Sequence, residues 1–247
     1  MSFLSLFQPI LEVHFSCPTS GNSSLAKGAD FILIERARLV AATSDKLVKF
    51  REEIQKYKNS NRILVYCGAT TIKTDDGCGE SIKKQIDAVS QILGTYGIAA
   101  HPYTSEESSE ERKRLAQIFA EGRLMQALVA IKCLDEGVDI PSIKTAFILA
   151  STTNPKEYIQ RRGRVLRLYP GKEFAEIYDF ITLPQPLSQN PTTYEISKFK
   201  TLVNNEMIRF KEFSDLSLNQ ADHSELYWQI CDQYGIDTNS KEFLENA

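Results

Sequence analysis

The sequence predicts an α/β protein whose core is a parallel sheet flanked by helices. Short apolar runs alternate with longer segments in which apolar residues recur every three or four positions, the spacing of an amphipathic helix. The runs are almost wholly apolar, which is typical of parallel strands that are covered on both faces. Five such runs are the predicted strands: residues 62–67, 98–104, 127–133, 145–151 and 174–184.

Helical segments separate most of these strands. The segment 80–97 has amphipathic spacing and ends at Gly97, a residue type that commonly follows the last helical turn. A second helix is predicted at 111–122. A third opens with Asn154 and Pro155, because these residue types are favoured at the N-cap and at the first helical position.

The segments on either side of the predicted sheet have a different character. Residues 29–57 show helical spacing, whereas 1–28 are poorly patterned, and the piece SCPTSGNSSLAKG at 16–28 is expected to form a loop or frayed segment. Beyond the last strand the chain is rich in Pro, Ser and Asn and then becomes helical. We therefore divide the chain into an N-terminal loop and helical segment at 1–58, a central α/β domain at 59–184 and a C-terminal helical extension at 185–247.

Composition argues against several classes of protein. The 247 residues carry 29 basic and 32 acidic side chains, a formal net charge of −3, so any site for a polyanion must be local. The five cysteines include no CxxC pair and the three histidines are scattered, which argues against a disulfide framework or a metal site. No apolar run is long enough for a membrane span, and the N-terminus does not match a signal peptide. We expect a soluble, cytoplasmic protein.

The loops that follow the strands are the expected place for a ligand, because in parallel sheets ligands bind beyond the carboxyl ends of the strands. Four loops qualify, at residues 68–77, 104–110, 132–141 and 151–154. The first belongs to the stretch GATTIKTDDGCG at 68–79, which is predicted to be loop throughout.

Local positive charge is concentrated in the stretch YIQRRGRVLR at 158–167, which contains four arginines. On a helix that turns about 100° per residue, Gln160, Arg164 and Arg167 share one narrow and wholly polar face. A guanidinium group is planar, permanently charged and bidentate toward phosphate, so this face suits a polyphosphate ligand. On spacing alone, a solvated basic face with surface salt bridges is an equally good interpretation.

A second polar stretch, AIKCLDEGVDIP at 130–141, starts at the end of a predicted strand and turns through Gly137. Its carboxylates, on Asp135, Glu136 and Asp139, could accept hydrogen bonds from sugar hydroxyls or hold an arginine in place; Glu136 before a glycine is also ordinary turn chemistry. Neither a GxxxxGK[ST] phosphate loop nor a magnesium-binding acidic box accompanies them. The arginines therefore occur without a complete nucleotide site.

Four segments in this order resemble motifs of superfamily-two helicases. The segments LVYCGAT (64–70), SSEERKRLAQIFAEG (108–122), LVAIKCLDEGVDIP (128–141) and YIQRRGRVLR (158–167) resemble motifs IV, IVa, V and VI. The resemblance covers roughly residues 59–183 and implies the second RecA-like motor domain of a helicase. The forms CLDEGVDIP and QRRGRVLR are similar to those of bacterial restriction and phage-defence helicases.

The resemblance implies roles for individual residues. Arg164 and Arg167 match the two arginines that reach the ATP phosphates across the cleft between the motor domains, one of them as an arginine finger, and Gln160 matches the polar residue that opens the motif. Gly137 and Asp139 match positions beside the nucleotide sugar and the finger arginines. Nucleic-acid contacts are implied for Gly68, Thr104, Ser105, Arg112 and Lys132.

The expected ligands depend on a domain that this sequence does not contain. The phosphate loop and the acidic box belong to the first motor domain, so the chain alone is expected to bind neither ATP nor Mg²⁺ and to be inactive as an ATP hydrolase. Together with that partner domain, the expected ligands are ATP, Mg²⁺ and DNA, or alternatively RNA. A stand-alone nucleic-acid-binding module without ATPase activity is the main alternative, and an interaction domain that has lost the chemistry is a third.

The other residues of the arginine-rich helix are expected to divide between two tasks. Four of them fall opposite the polar face and are expected to pack: Tyr158, Ile159, Val165 and Leu166. Arg161 lies near the edge of the polar face, where it could bridge to the missing domain. Arg162 points about 160° away from Arg164, into the apolar side. It therefore requires a looser helix at Gly163, a snorkelling side chain or an acidic partner.

Overall fold

A six-stranded parallel sheet with helices on both faces forms the core of the computed structural model, which describes residues 4–15, 44–69, 71–75, 80–104, 106–131, 140–150, 154–184 and 193–240. The strands are β1 (Leu4–Phe15), β2 (Ile63–Cys67), β3 (Thr71–Asp75), β4 (Glu80–Lys84), β5 (Ala100–Tyr103), β6 (Ala127–Ile131), β7 (Thr145–Ile148) and β8 (Phe174–Pro184). The helices are α1 (Ser44–Ile54), α2 (Gln85–Thr95), α3 (Ser109–Glu121), α4 (Pro155–Val165), α5 (Thr193–Ser214) and α6 (Gln220–Gln233), with one 3₁₀ turn, Gln55–Tyr57, after α1.

The strand order in the main sheet is β1-β8-β7-β2-β6-β5, and every neighbouring pair runs parallel. This arrangement places the ends of β2, β5, β6 and β7 along one edge, which we name the carboxyl edge. The loops that sequence analysis selected begin at this edge. The predicted fold class, a RecA-like parallel sheet flanked by helices, is confirmed.

Alternation along β2 shows how the sheet divides the core into two apolar layers. Leu64 and Tyr66 face the layer that also contains residues of α3, α4, α5 and α6. Ile63, Val65 and Cys67 face the layer that contains residues of α1 and α2. Because both faces of the central strands are covered, their side chains are apolar at every position, which is the pattern that revealed them in the sequence.

Sequence analysis missed the edge strand β1, because it assigned no element to residues 4–15; the loop expected at 16–28 lies outside the described residues. The backbone of β1 pairs with β8 from Leu4 opposite Phe174 to Phe15 opposite Pro184, with a register shift between Ile10 and Val13. Such pairing joins segments that are far apart in the sequence, so local pattern reveals little of it. Pro9 fits this place because an edge strand can leave one backbone position without a donor.

The prediction of a loop at 68–79 followed by a helix at 80–97 is also wrong in part. β3 and β4 form an antiparallel hairpin in which Thr71 lies opposite Lys84 and Asp75 opposite Glu80. The β-branched residues of these two strands favour the extended backbone. The helix therefore begins only at Gln85.

The predicted stop of this helix is confirmed. α2 ends at Thr95, and Gly97 follows it with φ 71°, a left-handed conformation that glycine adopts without steric cost. The amide of Ile98 then donates to the carbonyl of Leu93 at 3.0 Å, which satisfies a group of the last helical turn.

The flanking segments pack directly on the sheet. α1 confirms the helical prediction for 44–54, while residues 29–43 of that prediction lie outside the described residues. α5 and α6 confirm the helical character of the C-terminal segment. Their apolar side chains Val203, Met207 and Tyr227 belong to the buried layer that covers one face of the sheet. The domain division at 58 and 184 stays a prediction.

Candidate motor-domain site at the carboxyl edge

The start of α4 is built as the sequence predicts. The side chain of Asn154 accepts a hydrogen bond from the amide of Lys156 at 3.1 Å, and Pro155 occupies the first helical turn. The buried residues of α4 are spaced i, i+3, i+4 and i+7: Tyr158, Arg161, Arg162 and Val165. This stripe includes two arginines. It leaves Ile159 at its margin and 40 % exposed, so the prediction that Ile159 packs in the core is wrong.

Arg161 is turned into the protein, with 7 % of its surface exposed. Its guanidinium lies over the ring of Tyr66 with 4.2 Å to the centroid, donates to the carbonyl of Ala150 at 3.2 Å and pairs with Glu157 at 3.4 Å. Because Tyr66 is in β2 and Ala150 follows β7, this side chain ties α4 to two central strands. The guanidinium of Arg161 is thus used within the domain and does not form the predicted bridge to a neighbouring domain.

Arg162 finds an acidic partner, which was one of the three predicted solutions. It is 8 % exposed, and one of its nitrogens lies 2.8 Å from Oε1 of Glu212 in α5. Another donates to the backbone carbonyl of the same Glu212 at 2.8 Å. The helix continues without a break through Gly163, so the alternative of a loosened helix is excluded.

The polar face of α4 has a different environment. Gln160 is exposed, and Arg164 is partly exposed on the next turn. The helix ends at Val165, so Arg167 lies beyond the C-cap residue Leu166, where it is exposed. The prediction that one continuous helix carries all three residues is therefore wrong at its end, although the polar residues still follow one another along this side of the segment.

A buried lysine that sequence analysis did not single out closes the end of α4. The ammonium group of Lys172 donates to the carbonyls of Val165 at 2.5 Å, Arg167 at 2.9 Å and Pro141 at 3.3 Å. Burial lowers the pKa of Lys172 to about 8. These bonds fix the backbone of Arg167 and join it to Pro141, at the far end of the stretch 130–141.

A second polar group lies where β5 ends. The amide of Thr104 donates to Glu107 at 2.7 Å, and the guanidinium of Arg112 in α3 donates to the carbonyl of Thr104 at 3.1 Å. The guanidinium also lies 5.9 Å from the centre of the Tyr103 ring. Among the described residues, the buried Nε of Arg112 has no hydrogen-bond acceptor. Thr104 and Arg112 are thus in contact, as expected of residues in one site.

Gly68, at the end of β2, uses its backbone amide within the protein. The amide donates to Oε1 of Gln85 at 2.6 Å, and Gln85 is fully buried as the first residue of α2. A phosphate contact through this amide would require Gln85 to give up the bond.

The remaining predicted site residues, Ser105, Lys132, Gly137 and Asp139, lie outside the described residues.

The matched segment places the chain in a family of helicase domains. The family described as "helicase conserved C-terminal domain" matches residues 45–169, and the chain belongs to this family. The resemblance to a helicase C-terminal domain that sequence analysis found is thereby confirmed.

One curated relative is the DNA 3'-5' translocase XPB2 of Sulfurisphaera tokodaii, which is 27 % identical over 133 residues; the alignment covers 54 % of this chain and 26 % of the translocase. The chain thus spans about a quarter of that relative.

Among solved structures, the C-terminal domain of the DEAD-box protein Dbp5 is similar at 18 % identity and a TM-score of 0.43, covering 76 % of this chain and 91 % of that one. The C-terminal part of the Fun30 ATPase domain is similar at 15 % identity and a TM-score of 0.42, covering 77 % and 53 %. Family membership rests on the sequence match and not on these likenesses. Within the described ranges, no helix combines the length and apolarity that crossing a bilayer demands.

Proposed function

We propose that this chain is the second motor domain of an ATP-dependent nucleic-acid helicase or translocase. In this proposal Arg164 and Arg167 reach the phosphates of an ATP molecule that the first motor domain holds, and Gln160 assists them. An arginine that stabilises the developing negative charge contributes strongly to the rate of phosphoryl transfer.

The observation that carries the proposal is the division of the four arginines in the stretch 158–167. Arg161 and Arg162 are buried and paired within the protein, so their presence has a structural explanation. Arg164 and Arg167 lie on the side that faces solvent. If the whole helix were a solvated basic face, its arginines would all be exposed. Burial of two guanidinium groups, each paired with a glutamate, does not fit that alternative. Backbone contacts from Lys172 hold the segment of Arg167 in place, which suits a charge that must be positioned.

The nucleic-acid track is proposed to lie at the ends of β2 and β5. Arg112 supports this because one terminal nitrogen of its guanidinium is held by the carbonyl of Thr104 at the end of β5, while the residue as a whole is partly exposed. A phosphate oxygen is a suitable acceptor for such a group. Gly68, Ser105 and Lys132 complete the proposed track.

DNA is the proposed polymer, in line with the description of the translocase relative. A place among restriction and phage-defence helicases is proposed on sequence likeness in the motif segments alone.

Mg²⁺ and most ATP contacts are assigned to the first motor domain, because this sequence has no GxxxxGK[ST] segment. Gly137 and Asp139 are proposed to lie beside the sugar of the nucleotide. A cytoplasmic location is proposed as well.

The proposal is tested by measuring DNA-stimulated ATP hydrolysis with the chain alone and with the first motor domain supplied. We expect no turnover by the chain alone and turnover with its partner, which Arg164→Ala lowers strongly. Arg123→Ala is the matched control, because Arg123 is exposed at the opposite edge of the sheet, between α3 and β6. Robust turnover by the chain alone that Arg164→Ala abolishes would overturn the proposal. A stand-alone binding module would instead show salt-dependent DNA binding that Arg164→Ala weakens.

A further inference from the structure

The contact between α4 and the C-terminal helix α5 has no counterpart in the proposed chemistry, yet it involves the helix that carries Arg164. Arg162 and Arg164 are two residues apart on α4. Any contact that fixes the rotation of α4 about its axis through Arg162 therefore also fixes the direction in which Arg164 leaves the helix. α5 belongs to the segment that sequence analysis took as an extension, outside the central domain.

α5 is itself anchored to the sheet by a buried ionic group. Arg209 donates from Nε to Asp179 of β8 at 2.6 Å and from its two terminal nitrogens to the carboxylate of Glu206 at 2.9 Å each. The same carboxylate accepts the amide of Thr182 in β8 at 2.7 Å. Because these groups are buried and satisfy one another, α5 cannot slide or turn on β8 without breaking charged hydrogen bonds.

One turn after Arg209, α5 contacts α4 through Glu212 and Phe213. Glu212 accepts from Arg162 with both its carboxylate and its backbone carbonyl, each at 2.8 Å. The next residue, Phe213, is buried with its ring 5.6 Å from the Arg162 guanidinium and 6.1 Å from the ring of Tyr158. Two polar bonds and an aromatic contact together fix position and rotation, which a single salt bridge would not.

We infer that Glu212 and Phe213 of α5 are positioning residues for the α4 arginines and act through Arg162. The inference rests on the proposed function, since Arg164 must act on ATP for its position to matter. In this view α5 is part of the motor domain, because it is bonded to β8 at one point and to α4 one turn later, and so fixes α4 relative to the sheet. A binding partner or modification that disturbed α5 would lower ATP hydrolysis without touching the nucleotide.

The test compares Glu212→Ala with Lys211→Ala in the motor formed with the first domain. Lys211 is the neighbouring residue and its ion pair with Asp215 is partly exposed, so Lys211→Ala is a matched control on the same helix. We expect Glu212→Ala to lower kcat by about 10- to 100-fold with little change in KM for ATP, because a misplacement on the order of 1 Å costs about that much. The control is expected to retain wild-type kcat.

Whether Glu212 affects ATP hydrolysis by positioning Arg164 is tested by combining substitutions of the two residues. If Glu212 only positions the arginines, Glu212→Ala adds little to the loss already caused by Arg164→Ala. Equal and independent losses in both backgrounds would overturn the inference, as would an unchanged kcat in Glu212→Ala. Should Arg164→Ala itself leave kcat unchanged, the proposed function fails.

A second measurement decides the structural part without any ATPase activity. In hydrogen exchange of this chain, Glu212→Ala should speed the exchange of α4 amides by about tenfold or more and leave those of β2 and β6 unchanged. Unchanged exchange in α4 would overturn the inference even if the proposed function holds. If Glu212→Ala does not fold, as judged by circular dichroism, Glu212→Gln replaces it in every arm because it keeps the size of the side chain and removes the charge that pairs with Arg162. Lys211→Gln is then its control.

Discussion

Replacement of Arg209 by alanine is expected to destabilise the fold strongly, because it leaves two buried carboxylates without the arginine that bonds to both of them. Arg209 is 1 % exposed and bonds Asp179 at 2.6 Å and Glu206 at 2.9 Å. Removal of one partner from a buried ion pair costs about 3–5 kcal/mol. For a chain of this size each kcal/mol lowers the melting temperature by about 2–4 °C, so we expect a fall of roughly 6–20 °C.

The difference in stability between the wild type and Arg209→Ala should become smaller in acid, because Glu206 titrates differently in the two proteins. In the wild type burial would raise the pKa of Glu206, but the charges of Arg209 and Lys46 and its hydrogen bonds hold it below its usual value. Its contribution to stability is therefore lost only as the pH falls through that lowered pKa. Without Arg209, burial is the largest remaining influence on Glu206, so we expect its pKa to rise above the usual value. The variant then binds a proton on folding and gains stability as the pH falls through the raised pKa toward the usual one.

Urea unfolding of both proteins at about pH 7 and about pH 5 measures this difference. Lys211→Ala, on the same helix, removes a partly exposed pair and is expected to change the free energy of unfolding by less than about 0.5 kcal/mol. Two results would contradict this role of Arg209: a melting temperature of Arg209→Ala within about 2 °C of the wild type, or a difference in unfolding free energy that is larger at about pH 5 than at about pH 7.

Three further outcomes are expected. Gly163→Ala should raise the free energy of unfolding by up to about 1 kcal/mol, since alanine is the better helix former and, beyond the neighbouring helix backbone, no atom of the described residues lies within 4 Å of the added Cβ. A lowered melting temperature would contradict this. Lys172→Met should lower it by about 1.5–3 kcal/mol because three carbonyls lose their ammonium donor, while Lys113→Met, at an exposed position of α3, should be neutral in the same denaturation assay. Cys67→Ala should not change the number of fast-reacting thiols in the native protein, because Cys67 is fully buried and burial raises its pKa; a lost fast phase would show that it is accessible.

The central strands could be predicted from the sequence because burial on both faces makes them continuous apolar runs. The strand β1 could not, since what identifies it is pairing with β8 across most of the chain, and only the register of the folded sheet specifies that. The hairpin of β3 and β4 was hidden for a related reason. Its two strands are short and polar and are separated by a glycine-containing stretch, so the sequence resembles a loop although β-branched residues in both strands favour the extended backbone.

The candidate site was predictable in part. Helix geometry alone placed Arg162 on the buried side of α4 and required a solution such as an acidic partner, but it could not name Glu212, which lies 50 residues further along the chain. The role of Lys172 had no sequence signal, because a lysine after a turn usually remains in solvent. Arg112 and Thr104 were expected in one site and lie in contact. Their roles toward nucleic acid stay predictions.

The most direct test of the proposed function is single-turnover ATP hydrolysis by the motor carrying Arg164→Ala, measured together with its DNA affinity. We expect the hydrolysis rate to fall on the order of 10³-fold, with DNA affinity nearly unchanged. Arg112→Ala should do the reverse: it should weaken DNA binding and lower the salt slope by about 1. A hydrolysis rate near the wild-type value in Arg164→Ala, or a loss that follows weaker DNA binding, would contradict the assignment of Arg164 to ATP.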